Sequence, residues 1–415
     1  MRNDKERATE RDEQAKTMIP GSSERISTRP STAPRCPEST TGPGIYSHQP
    51  LDTSVDEIRL FKLGKEKEGP VHCEVEAFPL ERAPDYIALS YRWGPPSPTH
   101  DLFIGNKALK IRDILNSCLL ELREELDTWL WIDQICIAQV DTAERNHQVG
   151  MISRIYSNSA SVIVWIGDIP LAAPGEVDRF NDQDLDTTSL TVLLKNKYFS
   201  RLWIIQEIFL AKAATIRING HRSVAWWKVA AVYDDSILRN IVLPSSSNLI
   251  TLYQYRSCSR QLFFCVASFI DCKCEDPRDL VYGVQGIVEA KYRVVVDYTK
   301  SVLDVYLSVV RSSLAFRAAY PELGNASITG VLVRLGSRMK IKEYQMQHLM
   351  GFLAECLVNC IAGVVITLGF EVVENAQEHD YWWYECNGKR VCFPCPRLTP
   401  ISSSATTTST EDQTA

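Results

Sequence analysis

A chain of 415 residues, 45% hydrophobic and 23% charged, has the make-up of an ordinary soluble protein with room for two or three domains around a substantial core. A net charge of −6, with no basic cluster, argues against a nucleic-acid partner held through its phosphates. The 13 cysteines are scattered and no apolar leader precedes them, so the chain reads as a cytoplasmic protein with reduced thiols rather than a secreted disulfide framework.

Residues 1–49 mix charges with Ser, Thr, Pro and Gly and hold few large apolar groups, which predicts a disordered N-terminal segment. From Ile58 to Phe78, two runs of period two flank a Gly69-Pro70 turn and predict a hairpin. Three apolar runs come next, YIALSYRWG (Tyr86 to Gly94), WLWIDQICI (Trp129 to Ile137) and SVIVWIGD (Ser161 to Asp168), each short and rich in Ile, Val, Trp or Tyr. Such runs predict strands buried on both faces. A loop of Gly94, Pro95, Pro96 and Pro98 ends the first, and DLFI and KALKI flank a Gly105-Asn106 turn as a second hairpin.

Helices are signalled between these strands. Ile114, Leu115, Cys118, Leu119, Leu122 and Leu126 share one face, and Asp141 with Glu144 opens a helix carrying Val149, Ile152 and Tyr156. Residues 168 to 188 read as a surface loop, and LTVLL and RLWIIQEIFLA as helices. Asn219-Gly220 marks a third hairpin, and residues 225 to 316 read mostly as helices around DPRDLVYGVQGI, which is followed by VVVDY. The apolar run Leu357 to Phe370 is shorter than the roughly 20 residues a membrane span needs, so no span is expected. The fold class is therefore α/β: a small open mostly parallel sheet flanked by helices with added β-hairpins over residues 55–211, a mainly helical C-terminal region over 212–397, and a disordered Ser/Thr-rich tail over 398–415.

Strands alternating with helices run parallel and send their carboxyl ends to one edge of the sheet, where open α/β folds bind ligands. The residues delivered there are Ser90, Tyr91, Arg92 and Trp93, then Asp133 and Gln134, then Gly167 and Asp168. Two readings of Asp133 stand. Either it faces a ligand opposite Arg92, or it braces loops through an Arg or a backbone N–H, and Arg92 and Trp93 share that ambiguity. Glu144 and Arg145 read as structural, the first in a capping box and the second on an exposed or interhelix face. Cys136 and His147 match no thiol-protease signature. His379, Cys386, Cys392 and Cys395 contain one Cys-x-x-Cys but lack a second close pair, so no metal site is assigned.

The series ALSYRWG, LWIDQICIAQ, ER-x-x-QV, VIVWIG and RLWIIQE resembles the HET (heterokaryon incompatibility) domain of filamentous fungi, with Ala138 where that family usually has Asn. The resemblance implies a cytoplasmic effector of fungal nonself recognition that triggers programmed cell death through self-association or a recognition partner. It also implies the hairpin before the domain and, beyond it, an RD-x-x-Y helix and a DY strand. YFSRLWIIQEIFL and ALSYRWG are further similar to stretches of TIR domains, which implies a TIR-like or flavodoxin-like arrangement. On that likeness Glu207 is a candidate catalytic carboxylate and NAD a substrate rather than a bound cofactor; from their place at the strand ends, Asp133 is the second candidate carboxylate and Ser90, Tyr91, Arg92 and Trp93 are candidate ligand-binding residues. The plainer reading of Glu207 is an ion-pair residue on a helix surface.

Overall fold

The computed structural model describes residues 43–66, 68–167, 176–218, 222–239, 241, 260–319, 325–349, 366–371, 379–386 and 389–396, the last three segments by their backbone alone. Ten strands form one sheet: β1 (Gly44–Ile45), β2 (Glu57–Leu63), β3 (Val71–Pro79), β4 (Tyr86–Tyr91), β5 (Thr99–Ile104), β6 (Lys107–Arg112), β7 (Trp129–Trp131), β8 (Ser161–Trp165), β9 (Ala214–Ile218) and β10 (Arg222–Ala225). Their order is β1-β6-β5-β3-β2-β7-β4-β8-β9-β10. The centre, β7-β4-β8-β9, is parallel throughout. Antiparallel pairs lie outside it, β9 with β10 on one side and β7 with β2, β2 with β3 and β5 with β6 on the other.

The sheet is thus larger and more mixed than expected. The hairpins read as additions are integral to it, because β2 pairs with β7 through Phe61 opposite Leu130. Five of the six residues of β4 are buried, the pattern of a strand covered on both faces, whereas β9 alternates buried and half-buried positions and packs through one face. Helices α1 (Asp113–Leu122), α2 (Asp133–Cys136), α3 (Thr142–Asn158), α4 (Thr187–Leu194) and α5 (Ile204–Phe209) lie between the strands, and α6 (Trp226–Leu238) follows β10. α1 buries Leu115, Cys118, Leu119 and Leu122, an i, i+3, i+4, i+7 stripe. α3 begins where the Asp141 carboxylate accepts the N–H groups of Ala143 at 2.9 Å and Glu144 at 3.1 Å.

Four local expectations differ from what is seen. WLWIDQICI is not one strand: β7 stops at Trp131 and α2 starts at Asp133, where Asp133 Oδ1 accepts the Gln134 N–H at 2.8 Å. Residues 43–49 are ordered by tertiary contacts, since β1 pairs with β6 and His48 Nε2 meets the Ile135 carbonyl at 2.7 Å. VVVDY forms no strand, because side chains take its backbone donors: Gln285 Oε1 accepts from Val294 N at 2.8 Å and Asn146 Oδ1 from Tyr298 N at 2.9 Å. The C-terminal region is not helical to its end. After helices Val302–Ala319 and Asn325–Arg338 come β11 (Ile366–Glu371), β12 (His379–Cys386) and β13 (Lys389–Pro396), a separate three-stranded antiparallel sheet built from aromatic-rich and β-branched sequence. Part of Leu357 to Phe370 lies outside the described residues, and among those described no helix is long and apolar enough to cross a membrane.

One hydrophobic core runs from β2 through the sheet to helices Leu262–Phe269 and Val302–Ala319. It encloses an ion pair between Arg59 and Glu144, 2.6 and 2.8 Å, which are 3% and 6% exposed. Arg59 also donates to the Cys136 carbonyl at 3.0 Å, and Glu144 accepts the Ala138 N–H at 2.7 Å. Glu144 therefore ties α3 to β2 and to the loop after α2, a larger structural role than closing a capping box. Residue 273 pairs with the strand-like stretch before α5, Leu202 N donating to the Lys273 carbonyl at 3.0 Å and Lys273 N to the Ser200 carbonyl at 2.7 Å.

Candidate functional site

The chain steps from β4 outward to β7 and then back across β4 to β8. This reversal opens a crevice beyond the carboxyl end of β4, the place where open α/β sheets receive ligands. The last residues of β4 are still paired, Ser90 with Val164 and Tyr91 with Trp165, so only Arg92 and Trp93 project past the sheet. Gly94 turns the chain there with φ +71°, and a Cβ at that position would meet Ile114 Cδ1 at 2.4 Å. A side chain is excluded from that turn by both its backbone and its packing.

Arg92, Trp93, Asp133 and Glu207 all line one cleft of about 540 Å³. Glu207 is 6% exposed, and its Oε2 accepts a short hydrogen bond from Ser90 Oγ, which in turn is hydrogen-bonded to the Tyr198 hydroxyl. Arg201 closes on Glu207 from the other side, Nη1 at 3.3 Å and Nη2 at 3.4 Å from its two oxygens. Asp133 Oδ2 accepts the Trp93 indole N–H at 2.7 Å. Burial pushes the Asp133 carboxyl up to about 6, with the Glu207 charge adding to the rise and Arg201 opposing it. The cleft thus sets a carboxylate locked by three donors beside a second carboxyl that titrates near neutrality.

Ser90 and Tyr91 stand apart from the other sequence candidates. Both are buried within the sheet, Ser90 holding Glu207 and Tyr91 donating to Gln134 Oε1 at 2.8 Å, and neither is among the residues lining the cleft. Asp168 lies outside the described residues. Cys136 is fully buried and its Sγ lies 3.5 Å from the Ile132 N–H, with burial raising its thiol far from the reactive range. Its hydrogen bonding thus runs to the backbone of its own helical turn rather than to His147. Among the described residues no group of three His, Cys, Asp or Glu could hold a metal ion. For the C-terminal group, strand pairing sets Cys392 opposite Trp383 and Cys395 opposite Asp380, so positions 379 and 392 fall on one face of the small sheet and 386 and 395 on the other.

A second wall of the cleft comes from residues that the sequence did not mark as site residues. Asp279 and Tyr298, from beyond residue 270, line it together with Trp203 and Arg145. Tyr298 donates to Asp279 Oδ1 at 2.6 Å, and Trp203 Nε1 lies 3.4 Å from Oδ2. Burial pushes Asp279 up to about 7, partly offset by the Tyr298 hydrogen bond. Arg145, read as structural, lies with its guanidinium carbon 4.2 Å from the Tyr298 ring centre. The only sequence trace of this wall is the spacing of DPRDLVY and VVVDY, which the family resemblance marks as features of the chain and not as site residues.

Residues 86–207 match the model of the family described as Heterokaryon incompatibility protein (HET), a stretch that begins with β4 and ends at Glu207. The chain is 29% identical over 251 residues to "Heterokaryon incompatibility protein 6, OR allele" of Neurospora crassa, covering 44% of this chain and 37% of that relative. The chain therefore spans well under two thirds of the relative's length. No solved structure matches, so a TIR-like arrangement rests on the short motifs alone. The resemblance read from the five motifs holds over residues 86–207, the stretch that matches the HET model.

Proposed function

We propose that the chain is an effector of fungal nonself recognition that triggers programmed cell death in a mixed cell, switched on by self-association or by a recognition partner. The family match and the Neurospora crassa relative support the incompatibility role. The observation that carries the effector reading is the cleft itself. The matched stretch ends on Glu207, and that carboxylate is fixed by Ser90 and Arg201 beside Asp133 rather than left on a helix surface. A purely scaffolding domain has no use for two buried carboxyls facing one cavity, because each costs desolvation energy.

A second reading, hydrolysis of the nicotinamide–ribose bond of NAD, is favoured by the same pair. The bond electrons would leave with neutral nicotinamide while Glu207 stabilises the oxocarbenium-like centre, and water would add to the ribose carbon with its proton passing to Asp133. A group titrating at about 6 is suited to that exchange. The test is to incubate the purified, assembled chain with NAD and follow free nicotinamide, alongside Glu207→Gln, which keeps the hydrogen bond to Ser90. Release lost in Glu207→Gln supports the hydrolase. No release from an assembled chain that still kills cells removes it and leaves an effector acting by contact.

A further inference from the structure

We propose that the cleft holds the phosphate groups of a nucleoside diphosphate, with Arg145 as the principal phosphate contact and Arg92 as a second. This deepens the reading of the cleft as a ligand site and rests on it, but not on catalysis. Four cationic side chains line the cleft without an ion-pair or hydrogen-bond partner among the described residues: Arg92, Arg145, Lys197 and Lys273. The cleft's other arginine, Arg201, is committed to Glu207, and Arg278, next to the cleft, is committed to Asp276 by bonds of 3.0 and 2.6 Å. The carboxylates nearest Arg145 make their hydrogen bonds elsewhere, Asp276 with Arg278 and Asp279 with Tyr298 and Trp203, so Arg145 acts on them through its charge alone.

Arg145 is the most telling of the four. Its Nε is shut off from solvent with no acceptor, and so is Nε1 of Trp131, whose side chain is fully buried. Both residues line the cleft. A buried N–H without an acceptor costs about 1–3 kcal/mol, so two such donors in one wall point to acceptors supplied from outside the chain. The face of Arg145 already rests on Tyr298, which leaves the Nη end of its guanidinium as the part available to an anion, the geometry that suits phosphate oxygens. Trp93 and Trp203 add ring surface to the same cavity, and about 540 Å³ falls in the range of small-molecule sites. Cations for charge, orphaned donors for oxygens and indoles for a base together specify a nucleotide rather than a simple carboxylic acid.

The full chain is titrated calorimetrically with ADP, adenosine and inorganic pyrophosphate. Saturable ADP binding, tighter than adenosine and weakened by added salt, is expected. Arg145→Gln should weaken ADP about 10- to 100-fold while changing adenosine less than about twofold. Arg92 is exposed, so Arg92→Gln leaves folding intact and should weaken ADP by about 3- to 10-fold. The absence of saturable ADP binding by the wild type overturns the proposal, as does wild-type ADP affinity in both variants; if Arg145→Gln fails to fold, Arg92→Gln alone decides. Nicotinamide release and ADP binding are read separately on the wild-type chain, so loss of the hydrolase reading would leave this site standing, and loss of ADP binding would leave the carboxylate pair untouched.

Discussion

Asp133 shows how one residue can be legible in sequence while its chemistry is not. A carboxylate after three apolar residues must meet a donor, and it meets two, the Trp93 indole and the Gln134 N–H. Its proximity to Glu207, 74 positions away in the chain, could not be read from spacing, and that proximity helps to raise its pKa to about 6. In the unfolded chain the group titrates near ~4, so the native state keeps a proton that the unfolded state releases. The resulting stability is fully present below pH ~4 and is lost as pH rises through about 6. Asp133→Asn should therefore gain on the wild type across that window, by on the order of 3 kcal/mol, and hold a constant difference above it. Urea denaturation at half-unit pH steps measures this; parallel curves for the two proteins would contradict it. Arg145 and Tyr298 were beyond reach for the same reason as the Glu207 contact, since their contact joins α3 to a loop more than 150 positions later.

Turn chemistry exposed the hairpins at the level of elements. Gly69-Pro70 and Gly105-Asn106 mark where β2 meets β3 and β5 meets β6, because positive φ at Gly69 and Gly105 needs residues that tolerate it. Turns could not reveal that these hairpins join the parallel centre, since edge pairing depends on which strand lies free beside β7. The short helix at Asp133–Cys136 was hidden because four apolar-flanked residues fit a strand and a single helical turn equally well. The turn after β4 is the element on which the cleft depends. Gly94→Ala would force a Cβ into left-handed backbone and within 2.4 Å of Ile114 Cδ1, costing about 1–3 kcal/mol and displacing Trp93 from Asp133. A lower melting temperature together with a red-shifted tryptophan emission is expected; an unchanged melting temperature would show that the turn does not restrain the loop.

For the whole molecule, the family match ends at Glu207 but the core does not. α5 is tied to the chain beyond it: Gln206 Nε2 donates to the Tyr282 carbonyl at 3.2 Å, and residue 273 pairs beside Arg201. Phe263, Val266, Phe269 and Tyr282 are buried in the same core as the sheet. A chain shortened to residues 43–211 should expose that apolar surface, bind a hydrophobic dye and lose its cooperative unfolding transition. A sharp, dye-free transition would show instead that the matched stretch folds alone. The second wall of the cleft would also be lost, since Asp279 and Tyr298 come from beyond the cut.

The central claim is that the cleft at the end of β4 is where the proposed effector activity resides, and fusion of incompatible hyphae tests it most directly. Wild type and Glu207→Gln are expressed at equal level in a filamentous fungus with the triggering partner, and dead fusion cells are counted with a vital dye, after the variant's melting temperature has been checked against the wild type. A folded Glu207→Gln should fall to the background of cells lacking the chain. Killing at the wild-type level by that variant would contradict the account.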